Sequence, residues 1–497
     1  FDTCLPHPRT IAKWFQTIDG SPGFTSEAFA ALEARTAAQK RLPCALMLDE
    51  IGIRQELHWD GTKFLGRVDM GLGLDKSDAP LAKEALVFMV VGIDHSFKLP
   101  VGYFLINGLA AKDRVMLLQQ CLLKLHEVNV DVVSLTFDGH ASNLAMVKAM
   151  GCNLEPFSPE FKTSFPHPST NSDIFVFLDP CHMLKLVRNT LGERKVHVLL
   201  DGNGDAIKWS YIEDLQKFQD NAGLHLANKL RSKHILWKKN IMNVRLAAQL
   251  LSNSVATSLE FCVQQGVAEF DGCLPTIKFL RTFNKLFDIF NSRNLKNKCK
   301  QPLRETNFQE ICSFLSSAGE YISRLKIAGE ERPILQSGKK VGFLGFFMGI
   351  QSLVGLYRAL SSPPNALSFL CTYKFSQDHL ELFFAKIRRL GGCNNNPTPS
   401  QLISAYRKLI VHADLQDVLR GNCMPLEAIP ILTASSGPIK QINSSVDQNP
   451  LLNEEVLVVD VDQESGSEEL NVLPTLDEYT RKSCVDNIVS YIAGFAV

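Results

Sequence analysis

Apolar and polar positions change their spacing several times along this 497-residue chain, and each change marks a boundary. Pro6 and Pro8 precede a short helical stretch at 10–15, and Ser26-Glu27-Ala28-Phe29 opens an alanine-rich helix predicted to run to about residue 40. Pro43 ends it. The apolar residues then form continuous runs at 44–51, 86–93 and 101–106, the pattern of strands buried on both faces. An amphipathic helix follows at 114–128, then a buried strand at 130–137 closed by Asp138, and a helix at 143–150. A further strand, 174–178, ends at Asp179, and Pro180 suits the first turn of a helix over 181–191. Three strands, then helix, strand, helix, strand and helix predict a mixed α/β sheet flanked by helices.

From about Gly192 the pattern turns helical, after a hairpin-like turn at 201–205. Helical segments continue to about residue 360, where Pro363-Pro364-Asn365 breaks the series. A strong helix is predicted over 377–390, and Pro397-Thr398-Pro399-Ser400 caps another that reaches His412. Residues 440–476 are rich in Asn, Ser, Gln and acids, which suits an exposed or disordered linker, and 484–497 is apolar enough for a packed helix. The expected organisation is a helical segment at 1–42, a sheet-bearing core at 43–191 and a helical insertion at 192–365. Closing helices of the core at 366–415 and a C-terminal region at 416–497 complete it.

Composition narrows the class. With 45% hydrophobic and 21% charged residues, the chain can fill two or three cores. Thirteen cysteines, odd in number and without paired spacing, predict a reducing compartment, cytoplasm or nucleus, and no zinc-ligand spacing is present. No apolar run reaches the roughly 18 to 20 residues of a membrane span, so a soluble protein without a membrane partner is expected. No signal peptide is visible behind Phe1, and a start other than Met is expected of a segment of a longer protein. Lys plus Arg equals Asp plus Glu at 52 each, so any case for nucleic acid rests on local patches. Lys229, Arg231, Lys233, Lys238 and Lys239, with His234 and Trp237 between them, form one such patch. Lys374, Lys386, Arg388 and Arg389 form another, and either is equally consistent with a solvated face.

Asp49 and Asp138 both lie at ends of apolar strands, where a rigid sheet can aim carboxylates at divalent cations. Two Mg²⁺ (or Mn²⁺) ions about 3.5–4 Å apart would serve phosphodiester displacement. Glu381, on the 377–390 helix beside Leu380, Phe383 and Phe384, is the candidate third ligand. On pattern alone, an aspartate closing a strand serves equally as a turn former or helix cap. No G-x-x-x-x-G-K-[ST] occurs; Gly338-Lys339-Lys340 lacks the spacing and the hydroxyl, which argues against a P-loop. Cys181 and His182 are helix neighbours on different faces, and packing is expected of both.

The wording around these acids adds a resemblance. Leu178-Asp179-Pro180-Cys181-His182-Met183-Leu184-Lys185, continuing to Leu191, resembles a signature of the P element transposases and their THAP-domain relatives. So do residues 5–14, Thr136-Phe137-Asp138-Gly139, 377–384 and, near the end, 491–495. The resemblance implies an RNase H-like core interrupted by a mainly helical insertion that binds GTP. It places the catalytic, metal-binding triad on Asp49, Asp138 and Glu381, and the nucleotide contacts on Asp179, Lys185, Phe287, Asp288, Asn291 and Asp378. Phe287 would stack on the base and Asp288 would accept from guanine N1–H and N2–H₂. Lys185 would bring a charge to phosphate. The implied reaction is hydrolysis of transposon-end DNA, then attack of the freed 3′-hydroxyl on target DNA, by a nuclear homo-oligomer with GTP as organiser. The alternatives are a domesticated, non-cutting DNA- and GTP-binding regulator, and a general RNase H-like nuclease, which the long insertion disfavours. The family's THAP zinc finger has no counterpart in these residues.

Overall fold

The computed structural model describes residues 19–411, apart from 38–40, 72–77, 194–197, 224–225, 228, 295–299, 363–366 and 393. The predicted helix at 10–15, the acidic stretch at 440–476 and the apolar segment at 484–497 lie outside the described residues.

The apolar runs become strands. β1 (Gly23–Phe24) leads into α1 (Ser26–Thr36), then β2 (Leu42–Gly52) and a small hairpin, β3 (His58–Trp59) and β4 (Phe64–Leu65). β5 (Glu84–Gly92), β6 (Lys98–Ile106), α2 (Ala111–Glu127), β7 (Val130–Phe137), α3 (Ala141–Met150), β8 (Ser164–Pro166), β9 (Asp173–Leu178) and α4 (Pro180–Leu191) follow. The seven-stranded sheet runs β1-β6-β5-β2-β7-β9-β8. β2 pairs antiparallel with β5 on one side and parallel with β7 on the other, and β7 pairs parallel with β9. Every residue of β6 is buried and all of β5 after its first, as unbroken apolar strands require when both faces are covered.

The next stretch is mainly helical: α5 (Ser210–Ala222), α6 (Ser232–Ile235), α7 (Val244–Leu250), α8 (Asn253–Gln264), α9 (Leu274–Phe290) and α10 (Glu305–Arg324). It also holds a feature the helical reading missed. β10 (Val198–Leu200), β11 (Ala206–Lys208) and β12 (Lys326–Ile327) form a three-stranded sheet, with the predicted 201–205 turn joining the first two.

α11 (Val341–Leu360) then returns to pack on β9, α4 and α10. It is long and apolar enough to cross a membrane, which corrects the expectation that no such segment exists. Its setting is a protein core. A Cβ at Gly342 would fall 2.8 Å from Leu186 Cβ and 3.0 Å from the Val187 nitrogen, so glycine lets α11 lie against α4. α12 (Asp378–Leu390) and α13 (Pro399–Val411) close the described part, with α12 packed against β2.

Candidate active site

Sheet register sets the site. Met47 on β2 lies opposite Thr136 on β7, so two residues further on Asp49 is level with Asp138. Phe137 lies opposite Leu178 on β9, so Asp138 is level with Asp179. Three acids therefore stand side by side across three adjacent parallel strands, Asp138 and Asp179 just past the ends of β7 and β9 and Asp49 three residues inside the end of β2, spaced by roughly 4.8 Å per strand.

Their hydrogen bonds differ. Asp49 Oδ1 accepts the Glu50 N–H at 2.9 Å. Asp138 Oδ1 accepts twice, from the His140 N–H at 3.0 Å and from Asn143 Nδ2 at 2.8 Å. Asn143 is held in turn by Arg114 Nη1 at 3.1 Å, and Arg114, 4% exposed, also pairs with Glu50 beside Asp49. One buried guanidinium thus ties the neighbours of both aspartates together. Asp179 caps α4, its Oδ2 accepting the His182 N–H at 2.7 Å.

The fourth acid arrives on α12. Gln377, just before the helix, donates its N–H to Asp179 Oδ1 at 3.0 Å and its Nε2 to the Leu48 carbonyl at 2.8 Å. That double anchor sets the first turn of α12, with Glu381, against the end of β2. Electrostatics agree with the proximity. Burial pushes the Asp49 carboxyl well above the usual carboxylate range, and the charges of Asp138 and Glu381 push it further. Burial, then Asp378 and Glu381, pushes Asp179 up to about 7. Glu381 therefore acts on both sides of the cluster, and crowded carboxylates of this kind are what a cation site is made of.

A second group lies behind the first. Ligand atoms of Asp179, Cys181 and Asp378, all buried, fall within 4.8 Å of one another. Asp378 Oδ2 pairs with Arg293 Nη2 at 3.0 Å, and Arg293 Nε donates to Asn291 Oδ1 at 3.1 Å while its guanidinium lies 3.7 Å over the Tyr373 ring. Burial and the Asp378 and Asp179 charges push the Cys181 thiol far up, so it stays protonated. Of the six nucleotide candidates, Asp179, Asp378 and Asn291 are joined here through Gln377 and Arg293. Phe287, buried on α9, lies one helical turn before Asn291, with Lys300 Nζ 5.4 Å from its ring. Asp288 pairs with Lys300 at 3.4 Å and accepts from Asn284 at 2.8 Å. Lys185 stands apart: it is 3% exposed on α4, with no ion pair or hydrogen bond to any described residue.

The shift at Asp179 has a signed consequence. Unfolded, its carboxyl ionises near 3.8; folded, near 7, so the native state holds the proton more tightly. Its contribution to stability is therefore lost progressively as pH rises from about 4 to about 7. Asp179→Asn keeps one of the two acceptor contacts, since its amide has a single oxygen, and removes the titration. Melts without nucleotide or divalent ions should show the variant gaining about 1–3 kcal/mol relative to wild type between pH 5 and pH 8. Parallel melting curves across that range would refute the assignment.

The basic patches are partly structural. His234 is fully buried with Nε2 3.0 Å from Gln249 Oε1, and Trp237, also buried, donates Nε1–H to the Gly192 carbonyl at 3.1 Å. Neither aromatic is placed to stack on a base, which corrects the reading of the first patch, although its five cations are exposed. Lys374 in the second patch donates to the Ile93 and His95 carbonyls at 2.7 and 3.1 Å. Sequence reading also missed Gln377, Arg114, Asn143 and Arg293, none of which carries a local motif.

Comparison with known proteins matches three stretches of the chain. Residues 20–151 match the TNP-like RNase H N-terminal domain, 181–302 the TNP-like GTP-binding insertion domain, and 373–407 the TNP-like RNase H C-terminal domain. DNA transposase THAP9 of Homo sapiens is 33% identical over 423 residues, covering 83% of this chain and 46% of that protein. Transposable element P transposase of Drosophila melanogaster is 26% identical over 425 residues, covering 85% and 52%. The chain thus spans about half the length of these curated relatives. The fold is like that of the Drosophila P element transposase strand transfer complex, with a TM-score of 0.70 at 24% identity over 82% of this chain and 85% of that one.

Proposed function

Because the chain belongs to the family of P element-type transposases, with RNase H-like domains and a GTP-binding insertion domain, we propose that it cuts and joins DNA. The reaction is divalent-cation-dependent phosphoryl transfer on transposon-end and target DNA, with GTP as an organising ligand. The observation that carries this reading is the level placement of Asp49 and Asp138 on adjacent parallel strands, with Gln377 fastening the Glu381 helix to the same strand end.

The residues fit divalent cations. Asp138 spends Oδ1 on two donors and keeps Oδ2 free, and burial, with like charges beside it, raises the Asp49 carboxyl. Asp49, Asp138 and Glu381 would hold Mg²⁺ or Mn²⁺, which when bound supply Lewis acidity for the attacking and leaving oxygens. The protein's own part is positioning: Arg114 and Asn143 fix Asp138, and Gln377 fixes the helix that carries Glu381. For GTP, Lys185 offers a buried charge without a partner, Phe287 a ring, and Asp288 a carboxylate suited to guanine once Lys300 yields it. On this reading the protein acts in the nucleus, as a homo-oligomer that holds two DNA ends.

The test is cleavage of DNA carrying candidate ends by the purified chain, with Mg²⁺ or Mn²⁺ and GTP, and its loss in EDTA. Tight GTP binding with no cleavage of any end would instead identify a non-cutting regulator. Gln377→Met is expected to lower stability by about 1–2 kcal/mol, from the lost Leu48 contact. Single-turnover cleavage should fall about tenfold or more with DNA affinity unchanged. A variant that loses stability yet cuts at the wild-type rate would reduce Gln377 to a structural residue.

A further inference from the structure

A cavity of about 380 Å³ opens beside Asp138, in the size range of small-molecule sites. The loop bearing Asp138 and His140 forms one wall. A stripe of α4 forms another, where His182, Leu186 and Asn189 recur at helical spacing, and the approach to α11 from Gly338 closes the third. Neither Lys185 nor the Asp179–Asp378 group lines it, so it is distinct from the nucleotide candidates.

Its charges exclude a phosphate. Asp138 and Glu193 face the space as carboxylates, and the cation in the wall, Lys339, is spent on Glu193 at 2.5 Å. What remains in the wall holds no further acid and no lysine or arginine. Burial and the nearby Lys185 hold the His182 imidazole below its ordinary range, hence neutral at pH 7. His140 Nδ1 is engaged by Ser142 Oγ at 2.7 Å, which leaves the other nitrogen unused by that contact. Asn189 Oδ1 accepts from Arg188 Nε at 2.7 Å, so its amide nitrogen remains as a donor. Leu186 and Val341 supply apolar surface. Two flat imidazoles, one fixed amide donor and an apolar floor match an unpaired nucleobase, held by stacking and by one edge.

We propose that this cavity receives the flipped-out base of the nucleotide next to the phosphate on which Asp49, Asp138 and Glu381 act. The inference rests on the phosphoryl-transfer reading above, and its geometric root is that Asp138 belongs to both places. A phosphate held at the carboxylates leaves the adjoining nucleoside at the mouth of this cavity, and unstacking one base costs only a few kcal/mol.

The test fills the cavity. A Cβ at Gly338 meets nothing within 4 Å and its φ is not positive, so Gly338→Phe adds a ring without backbone strain. Asn189→Ala removes the amide donor. The substrate is a duplex end selected by wild-type cleavage from a random-sequence pool, with 5-iododeoxyuridine placed in turn at each nucleotide flanking the cut. Ultraviolet cross-links from one flank are expected to map to peptides containing His140 or His182. Gly338→Phe should cut about tenfold or more slowly, and an abasic site at that same nucleotide should restore most of the rate. Asn189→Ala should slow cleavage less, with GTP binding unchanged in both and the melting temperature lowered only in Asn189→Ala, which leaves the buried Arg188 Nε without that acceptor. Wild-type rates in both variants, or cross-links that map elsewhere, overturn this proposal alone. A wild-type chain that cuts no member of the pool overturns the parent reading and this one with it.

Discussion

Asp138→Asn is expected to lower DNA strand cleavage by about 10³-fold or more while leaving the fold and GTP binding as they were. The selectivity follows from how the carboxylate is used. Both donors, the His140 N–H and Asn143 Nδ2, meet the same oxygen, Oδ1. Asparagine keeps that oxygen and those two bonds. It replaces only Oδ2, exchanging an anionic cation ligand for an amide that repels cations. Removing one charge also relieves Asp49, whose carboxyl Asp138 helps to push up, so the melting temperature should hold or rise. Cleavage in Mg²⁺ and Mn²⁺ beside a thermal melt decides it. Undiminished cutting would remove Asp138 from the chemistry, and with it the three-acid site.

Lys185→Met should do the opposite to binding and to stability. Lys185 is 3% exposed as a residue, sits on a helix of the core and has no anionic partner among the described residues. Burying an unpaired charge is costly, and methionine fills similar space without it, so the nucleotide-free variant should be more stable. Its affinity for GTP should fall by about 10- to 100-fold, since a charge-assisted hydrogen bond is worth roughly 1.5–3 kcal/mol. Calorimetric titration with GTP and a melt of the free protein read the two effects separately. Lower stability with unchanged affinity would make Lys185 a packing residue and move the phosphate elsewhere.

The sheet was legible because its strands are apolar along their whole length, and 130–137 appears in the structure with the predicted limits. Asp138 was legible as a strand end, whereas β2 runs three residues past Asp49; nothing local distinguishes such an acid from a cap, and the register of two parallel strands makes the difference. The β10–β12 sheet was not legible. Its strands are two or three residues long, and β10 pairs with residues more than a hundred positions away, too short and too distant for any period. His234 and Trp237 misled because a basic stretch reads as exposed throughout, whereas their rings turn inward onto Gln249 and Gly192. Gln377 stood in a stretch that carried the resemblance but gave no signal of its own role. A glutamine before a helix looks like solvent, and its two partners, Asp179 and Leu48, are 198 and 329 residues away.

The long apolar helix α11 has a consequence for biosynthesis. Its packing partners β9, α4 and α10 all lie earlier in the chain, so they have left the ribosome before it does. A segment that would be hazardous if made first meets a ready surface at birth. Glu381 is translated later still, after the insertion has been laid down, and it reaches the strand end only when α12 docks. The nascent chain is therefore unable to assemble the proposed three-acid centre until nearly all of the described residues exist, a safeguard that order of translation alone would impose on the proposed DNA chemistry.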